Sequence, residues 1–269
     1  MHGLDLYSAA RQCLEADEPA AKLELTRRVA ADWRAGRLVA PGESVIGPFG
    51  VEPGRPALPR LVDPRQLPHR GLGTVQGRAA LLHAVAHIEF NAINLAWDAV
   101  LRFRDMPRAF VDDWIGVADD EARHFSLVAA RLAELGHAYG DFDAHDGLWD
   151  MARRTAHSCL ERMALVPRVL EARGLDVTPG MIARLRNVGD EASVAVLEVI
   201  LREEEAHVAA GSRWFNWCCA REGLDPEATF AGLVASHLGR ALRGPLNVEA
   251  RLRAGFSAGE LGRLEALVA

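Results

Sequence analysis

Twice in this chain a Glu-x-x-His pair stands in the middle of a helical stripe that is otherwise apolar: EARH (121–124) and EEAH (204–207). A spacing of i, i+3 puts the two side chains about 60° apart on one helix face, close enough to bind one ion. Trp114, Val117, Phe125, Val128 and Leu132 share the face of Glu121 and His124, while Leu197, Ile200, Val208 and Gly211 share that of Glu204 and His207. A third stripe, Leu82, Val85, Ile93 and Ala96, is interrupted only by Glu89. A carboxylate buried in such a face is costly unless something neutralises it. The fold must therefore bring these faces to a common positive charge.

The rest of the chain agrees with helices. Strand signals are nearly absent, and Ala, Leu, Arg and Glu recur at helical spacing, which predicts an all-α protein. Two amphipathic helices are expected over 4–17 and 19–36. A Pro/Gly-rich run follows (41–74) that can be neither helix nor regular sheet. Its apolar residues Val45, Ile46, Phe49, Leu58 and Leu61 suggest a segment wrapped on a surface. Four long helices are then expected, over about 76–104, 108–135, 148–173 and 190–219. Asp146 is placed to cap the third and Asp190 the fourth, with a short helix over 181–188 between them. Two shorter helices fill 221–269. Four long helices make a four-helix bundle the economical architecture, residues 76–220, flanked by N-terminal (1–75) and C-terminal (221–269) extensions of one structural domain.

The third long helix must supply a fourth carboxylate, and Glu161 and Glu171 are the candidates. Glu161 shares its face with Arg154, His157 and Arg168, a solvated pattern, whereas Glu171 lines up with Leu160, Ala164 and Pro167. Glu89 and Glu121 are 32 residues apart, and Glu171 and Glu204 are 33 apart. Equal height in an antiparallel pair then places one turn near residue 105, before Pro107, and the other near 187–188, before Gly189-Asp190. Glu171 is the choice. Four carboxylates balance two divalent cations. With two imidazoles and no thiolate, the set suits iron or manganese, singly or mixed, better than structural zinc. Iron is favoured by analogy with bundle sites that handle dioxygen.

The segments LLHAVAHIEFNAINLAWD (81–98), DDEARHFSLV (119–128), ALVPRVLEARGLDVTPG (164–180) and ILREEEAHVAAGSRWF (200–215) resemble domain-of-unknown-function family 455, a ferritin-like bacterial family. The flanks PRLVDPRQLPHRGLGT (59–74) and RGPLNVEARLRAGF (243–256) are similar too, so the resemblance covers most of the chain. It implies a ferritin-like bundle with two metal ions, iron first, at Glu89, Glu121, His124, Glu171, Glu204 and His207. It supplies no substrate.

Other residues have plainer readings. His83 and His87 share a face, but His87 lies about 200° from Glu89, so they are core histidines or supports behind the metal ligands. The Asp141, Asp143, His145, Asp146 cluster lacks the glycine and terminal Glu of a calcium loop. Cys218 and Cys219 are adjacent and suit packing, and the four cysteines show no CxxC spacing. Tyr139 lies 15 residues past His124, which disfavours a radical-bearing tyrosine beside the ligands. Arg243, Asn247, Glu249 and Arg251 in the tail can dock on the bundle or meet a substrate.

With 31 basic residues, all arginine except Lys22, against 37 acidic ones, the net charge of −6 disfavours nucleic acid as a partner. No run of about 20 apolar residues and no signal core occur, so a cytoplasmic protein without a membrane partner is expected. The leading expectation is an O2-dependent di-iron oxidoreductase acting on a small organic substrate with a separate electron donor, and a dimer is compatible with it. The alternatives are a ferroxidase or iron-handling protein, and a bundle whose metal is structural.

Overall fold

The computed structural model of the protein describes residues 4–40, 51–238 and 244–268. Val45, Ile46, Phe49 and Arg243 lie outside the described residues. The chain is all-α, with one two-residue parallel pairing of β1 (Leu4–Asp5) and β2 (Leu38–Val39). It divides into two compact units, Met1–Trp149 and Asp150–Ala269. No helix among the described residues is long and apolar enough to cross a membrane.

The first unit is built on α3 (Val75–Arg102), which packs against α1 (Leu6–Glu15) and α4 (Arg108–Glu134). α2 (Pro19–Arg34) lies on α4. Thr74 caps α3 by accepting from Gly77 N, and Pro107 delimits α4. Every residue of α3 from Glu89 onward is buried, including an Asp98–Arg102 ion pair one turn apart. Gly136, at φ 77°, ends α4 in a left-handed turn where a side chain would be strained. The single lysine is wholly buried: Lys22 Nζ donates to the Cys13 and Leu14 carbonyls, closing the end of α1. Burial pulls its pKa down to about 7.

The proline-rich run does wrap a surface over its described part, but polar groups fasten it. Gly54 N donates to Leu14 O, and a Cβ at Gly54 would overlap the Glu15 carbonyl. Residues 60–62 pair with Ala144, Arg55 binds Asp146, Arg60 binds Asp143, and Glu52 accepts from Trp149 Nε1. Leu58 and Leu61, expected to anchor the wrap, are exposed. An extended segment with prolines keeps its remaining N–H and C=O groups outside any helix. Val62 N and Arg60 O are paired with Ala144, and the side-chain bonds of Glu52, Arg55 and Arg60 hold the run without burial of these leucines.

In the second unit the helix expected over 148–173 is broken, and its C-terminal part runs on without the loop expected at 174–180. α5 (Gly147–Arg154) spans the division between the units. The chain then turns at 155–158, where buried Arg162 donates to Thr155 Oγ1 and the Ala152 carbonyl. Ser158 opens α6 (Cys159–Leu165) by accepting from Glu161 N, a Ser-x-x-Glu start that the sequence displays. A π-helical segment, Val166–Glu171, leads straight into α7 (Ala172–Asn187). Residues 176–180 are therefore helix despite Pro179.

The reason is a repair from far along the chain. Pro179 has no N–H for the carbonyl four residues back, Leu175 O. Asn247 Nδ2 donates to that oxygen at 3.1 Å. Asp176 is held from the same side by Asn247 N and by a bidentate Arg251. Among the described residues the tail carries three helices where two were expected: α9 (Pro226–His237), α10 (Val248–Arg253) and α11 (Ala258–Val268). Asn247 and Arg251 dock structurally on α7.

α8 (Glu191–Glu222) is capped by Asp190, as expected, and packs along α6, the π segment and α7. Gly211 lets Pro167 approach: a Cβ there would lie 2.5 Å from Pro167 Cγ. Pro167 is a rigid ring at the start of the π segment, so it cannot fold away. Gly211→Ala is expected to cost about 1–3 kcal/mol by overpacking and to lower the thermal midpoint, while Ala at exposed Gly232, inside α9 with open space around it, is expected to leave it the same or raise it slightly.

Candidate metal centre

Within the first unit, α3 delivers Glu89 and α4 delivers Glu121 and His124 to one place. They are 3%, 1% and 0% exposed. His124 Nδ1 lies 3.3 Å from Glu89 Oε2 and 3.4 Å from Glu121 Oε2, and ligand atoms of the three all lie within 4.8 Å of one another. Bonds of about 2.0–2.6 Å to a shared divalent ion span such separations. Two carboxylates and an imidazole, with no thiolate, are hard-to-borderline donors, so these side chains can hold a metal ion.

The electrostatics agree. Burial alone would drive the His124 imidazole toward its neutral form. The hydrogen bonds and charges of Glu121 and Glu89 overcome that and raise its pKa to about 11. An imidazolium here holds the place of a cation between two carboxylates. A metal ion must expel that proton to bind Nδ1. Apparent affinity for a redox-inert probe such as Mn(II) is therefore expected to rise about tenfold per pH unit between pH 7 and 9, and to fall as pH is lowered. A competition titration at several pH values checks this; a flat profile contradicts it.

The second unit holds the other half of the predicted set. Glu204 and His207 are buried on α8, with His207 Nδ1 3.5 Å from Glu204 Oε1. Glu171 is buried as the last residue of the π segment. A π turn adds a residue to the helical repeat and rotates the residues after it to a new face, which is why such turns recur at functional positions. Among the described residues, the second unit by itself forms no group of three such ligands. Glu161, the candidate set aside, is half-buried beside His157 and His237, at 3.3 and 3.5 Å.

His83 and His87 lie one turn apart on α3 and both meet Tyr139. His83 accepts from Gly140 N at 2.9 Å, and burial lowers its pKa to about 4. His87 Nε2 lies 3.1 Å from both the His145 carbonyl, an acceptor, and Asn91 Nδ2, a donor. Nδ1 lies 2.9 Å from the Tyr139 hydroxyl. Burial keeps the ring neutral, its pKa lowered to about 4, and pushes the Tyr139 phenol well above its usual range.

Tyr139 also packs on Phe90 and Phe125, the residues that follow Glu89 and His124. Distance along the chain gave no hint of this, because the turn after Gly136 carries Tyr139 back over α3. Arg55, joined to Asp146 and Asn91, was likewise missed. Its only sequence signal is a charged residue inside a proline-rich wrap. Asp141 and Asp143 serve the turn, through Ala138 N and Arg60, and Cys218 and Cys219 are buried thiols.

No solved structure matches the chain. Over 213 residues the chain is 48% identical to an uncharacterized protein of Haemophilus influenzae, covering 77% of this chain and 74% of that protein. Residues 15–262 match a family described as protein of unknown function (DUF455), a span that includes α3, α4, the π segment and α8 with all six predicted ligands. On that match the chain belongs to the DUF455 family.

Proposed function

We propose that Glu89, Glu121, His124, Glu171, Glu204 and His207 together hold two iron ions within a ferritin-like four-helix bundle over residues 76–220, and that the protein is an O2-dependent oxidoreductase acting on a small organic substrate. The observation that carries this is the duplication. Each unit contributes one Glu-x-x-His pair on a buried helix face and one further buried glutamate from the helix before it. Each half supplies two carboxylates and one imidazole, and four carboxylates together balance two divalent ions. Manganese, or one ion of each kind, fits the same donors.

Ferrous ions bound there supply the electrons for reducing dioxygen. The chain's own residues do the rest. The four carboxylates would hold the ions, and each imidazole would supply one further ligand. Ile93, Val117 and Phe125 in the first unit, and Ile200 and Val208 in the second, are buried along the helix faces that carry these acids and would keep bulk water from them. Repeated turnover would require an external electron donor.

Oxygen uptake by anaerobically Fe(II)-loaded protein tests the proposal. With a reductant and an organic substrate present, uptake is expected to continue past the amount that the bound iron consumes. Uptake that stops once the iron is oxidised indicates an iron-handling protein, and no uptake indicates a structural metal.

A further inference from the structure

A cavity of about 310 Å³ opens in the first unit between the wrapped segment and α3. Arg55, Pro56, Ala57, Pro59, Arg60 and Leu61 line it on one side, and His87, Phe90 and Tyr139 on the other. We propose that it is a binding site for a small aromatic monocarboxylate, with the carboxylate on the Arg55 guanidinium and the ring against Phe90 and Tyr139. The proposal stands whether or not a metal is held by the acids of α3 and α4.

Charge selects the anion. Two arginines line the cavity and no acid does. Asp146 and Asp143 pair with those arginines but stand outside the lining, so the surface offered to a ligand is guanidinium. Arg55 is the better placed of the two, being 19% exposed at its side chain against 72% for Arg60. One Nη binds Asp146 and the other lies 3.3 Å from Asn91 Oδ1, which fixes the plane of the fork. A guanidinium has five N–H groups, and a fork held in this way can still receive a second carboxylate.

Shape selects the ring. Phe90 and Tyr139 pack on each other, ring centroids 5.5 Å apart at 33°, and both line the cavity, with Pro56 and Pro59 as flat aliphatic rings in the rest of its lining. Apolar faces of this kind favour a planar ligand over a flexible chain, because no rotor has to be frozen. The Tyr139 hydroxyl lies 2.9 Å from His87 Nδ1, and its oxygen keeps a lone pair that can accept from a ring amine or hydroxyl of the ligand. The volume is at the lower end for ligand sites, which limits the occupant to about one ring with small substituents.

Benzoate is the probe, titrated into the chelator-treated, metal-free chain and followed by ligand-observed NMR. Saturable binding is expected, with the neutral isostere benzamide about tenfold weaker or more, the cost of losing a charge-assisted pair. Arg55→Gln is expected to remove that preference, leaving benzoate no tighter than benzamide. Arg55 also helps to fasten the wrap, so a second variant avoids that contact. Ala57→Trp, at an exposed position on the cavity wall, is expected to weaken both ligands tenfold or more without altering the melting midpoint. Absence of saturable benzoate binding, equal binding of benzoate and benzamide to the unaltered chain, or full binding in Ala57→Trp would each overturn the proposal. Metal content plays no part in this readout, so the result is independent of the iron assignment.

Discussion

Protein purified from iron-rich medium is expected to carry about two Fe per chain, and the Glu204→Ala variant to lose iron on the order of tenfold or more. Glu204 sits on α8 in the buried stripe Leu197, Ile200, Val208 and Gly211, beside His207. Truncating it removes one of four negative charges and one ligand without opening a large apolar gap, so the helix itself should persist. Glu161→Ala is the matched control. Its carboxylate faces His157 and His237 rather than the buried stripe, and metal content should not change. Elemental analysis of the three proteins decides the matter. Metal near zero in the unaltered chain, even after anaerobic Fe(II) loading, would sink the di-iron reading and with it the proposed reaction.

The second large effect is expected at Arg168, which sits in the π segment three residues before Glu171 and is fully buried. Its guanidinium lies 4.2–4.6 Å from the ring centroids of Phe215, Phe230 and Phe256, and Nη2 donates to Glu260 at 2.7 Å. Cation–π contact and the ion pair offset the loss of water only while both are made. Arg168→Met leaves Glu260 buried without its cation and is expected to cost about 3–5 kcal/mol in urea unfolding. Replacing both residues, Arg168→Met with Glu260→Gln, should recover a good part of that loss, because the stranded charge is then gone. If the single variant unfolds like the unaltered chain, the box around Arg168 contributes nothing to the second unit. A retained fold with reduced iron would instead tie this box to the placement of Glu171.

Much of this protein was legible in its residue order. The ends of α1, α2, α3, α4 and α8 follow from Asp5, Pro19, Thr74, Pro107, Gly136 and Asp190. Caps and breakers act within one turn and need no distant partner. The burial of Glu89, Glu121, His124, Glu171, Glu204 and His207 was likewise readable, since helical period alone assigns a residue to an apolar face. Even the break before α6 had a local sign in Ser158 and Glu161, overridden by the apparent continuity of the stripe.

Three features were settled only by the folded chain. α7 runs through Pro179 because Asn247 supplies the hydrogen bond that proline cannot, from 72 residues away. The π turn that ends at Glu171 is held by Pro167 seated against Gly211 and by Arg168 in its aromatic box, both contacts between distant segments. Tyr139 and Arg55 reach α3 only because a turn and a proline-rich strap fold back over it. Periodicity and capping are properties of neighbouring residues, so the sequence determined which faces are buried and where most helices begin and end. A carbonyl freed by a proline, or a cavity between a strap and a helix, takes its partners from elsewhere in the chain, and only tertiary packing decides which.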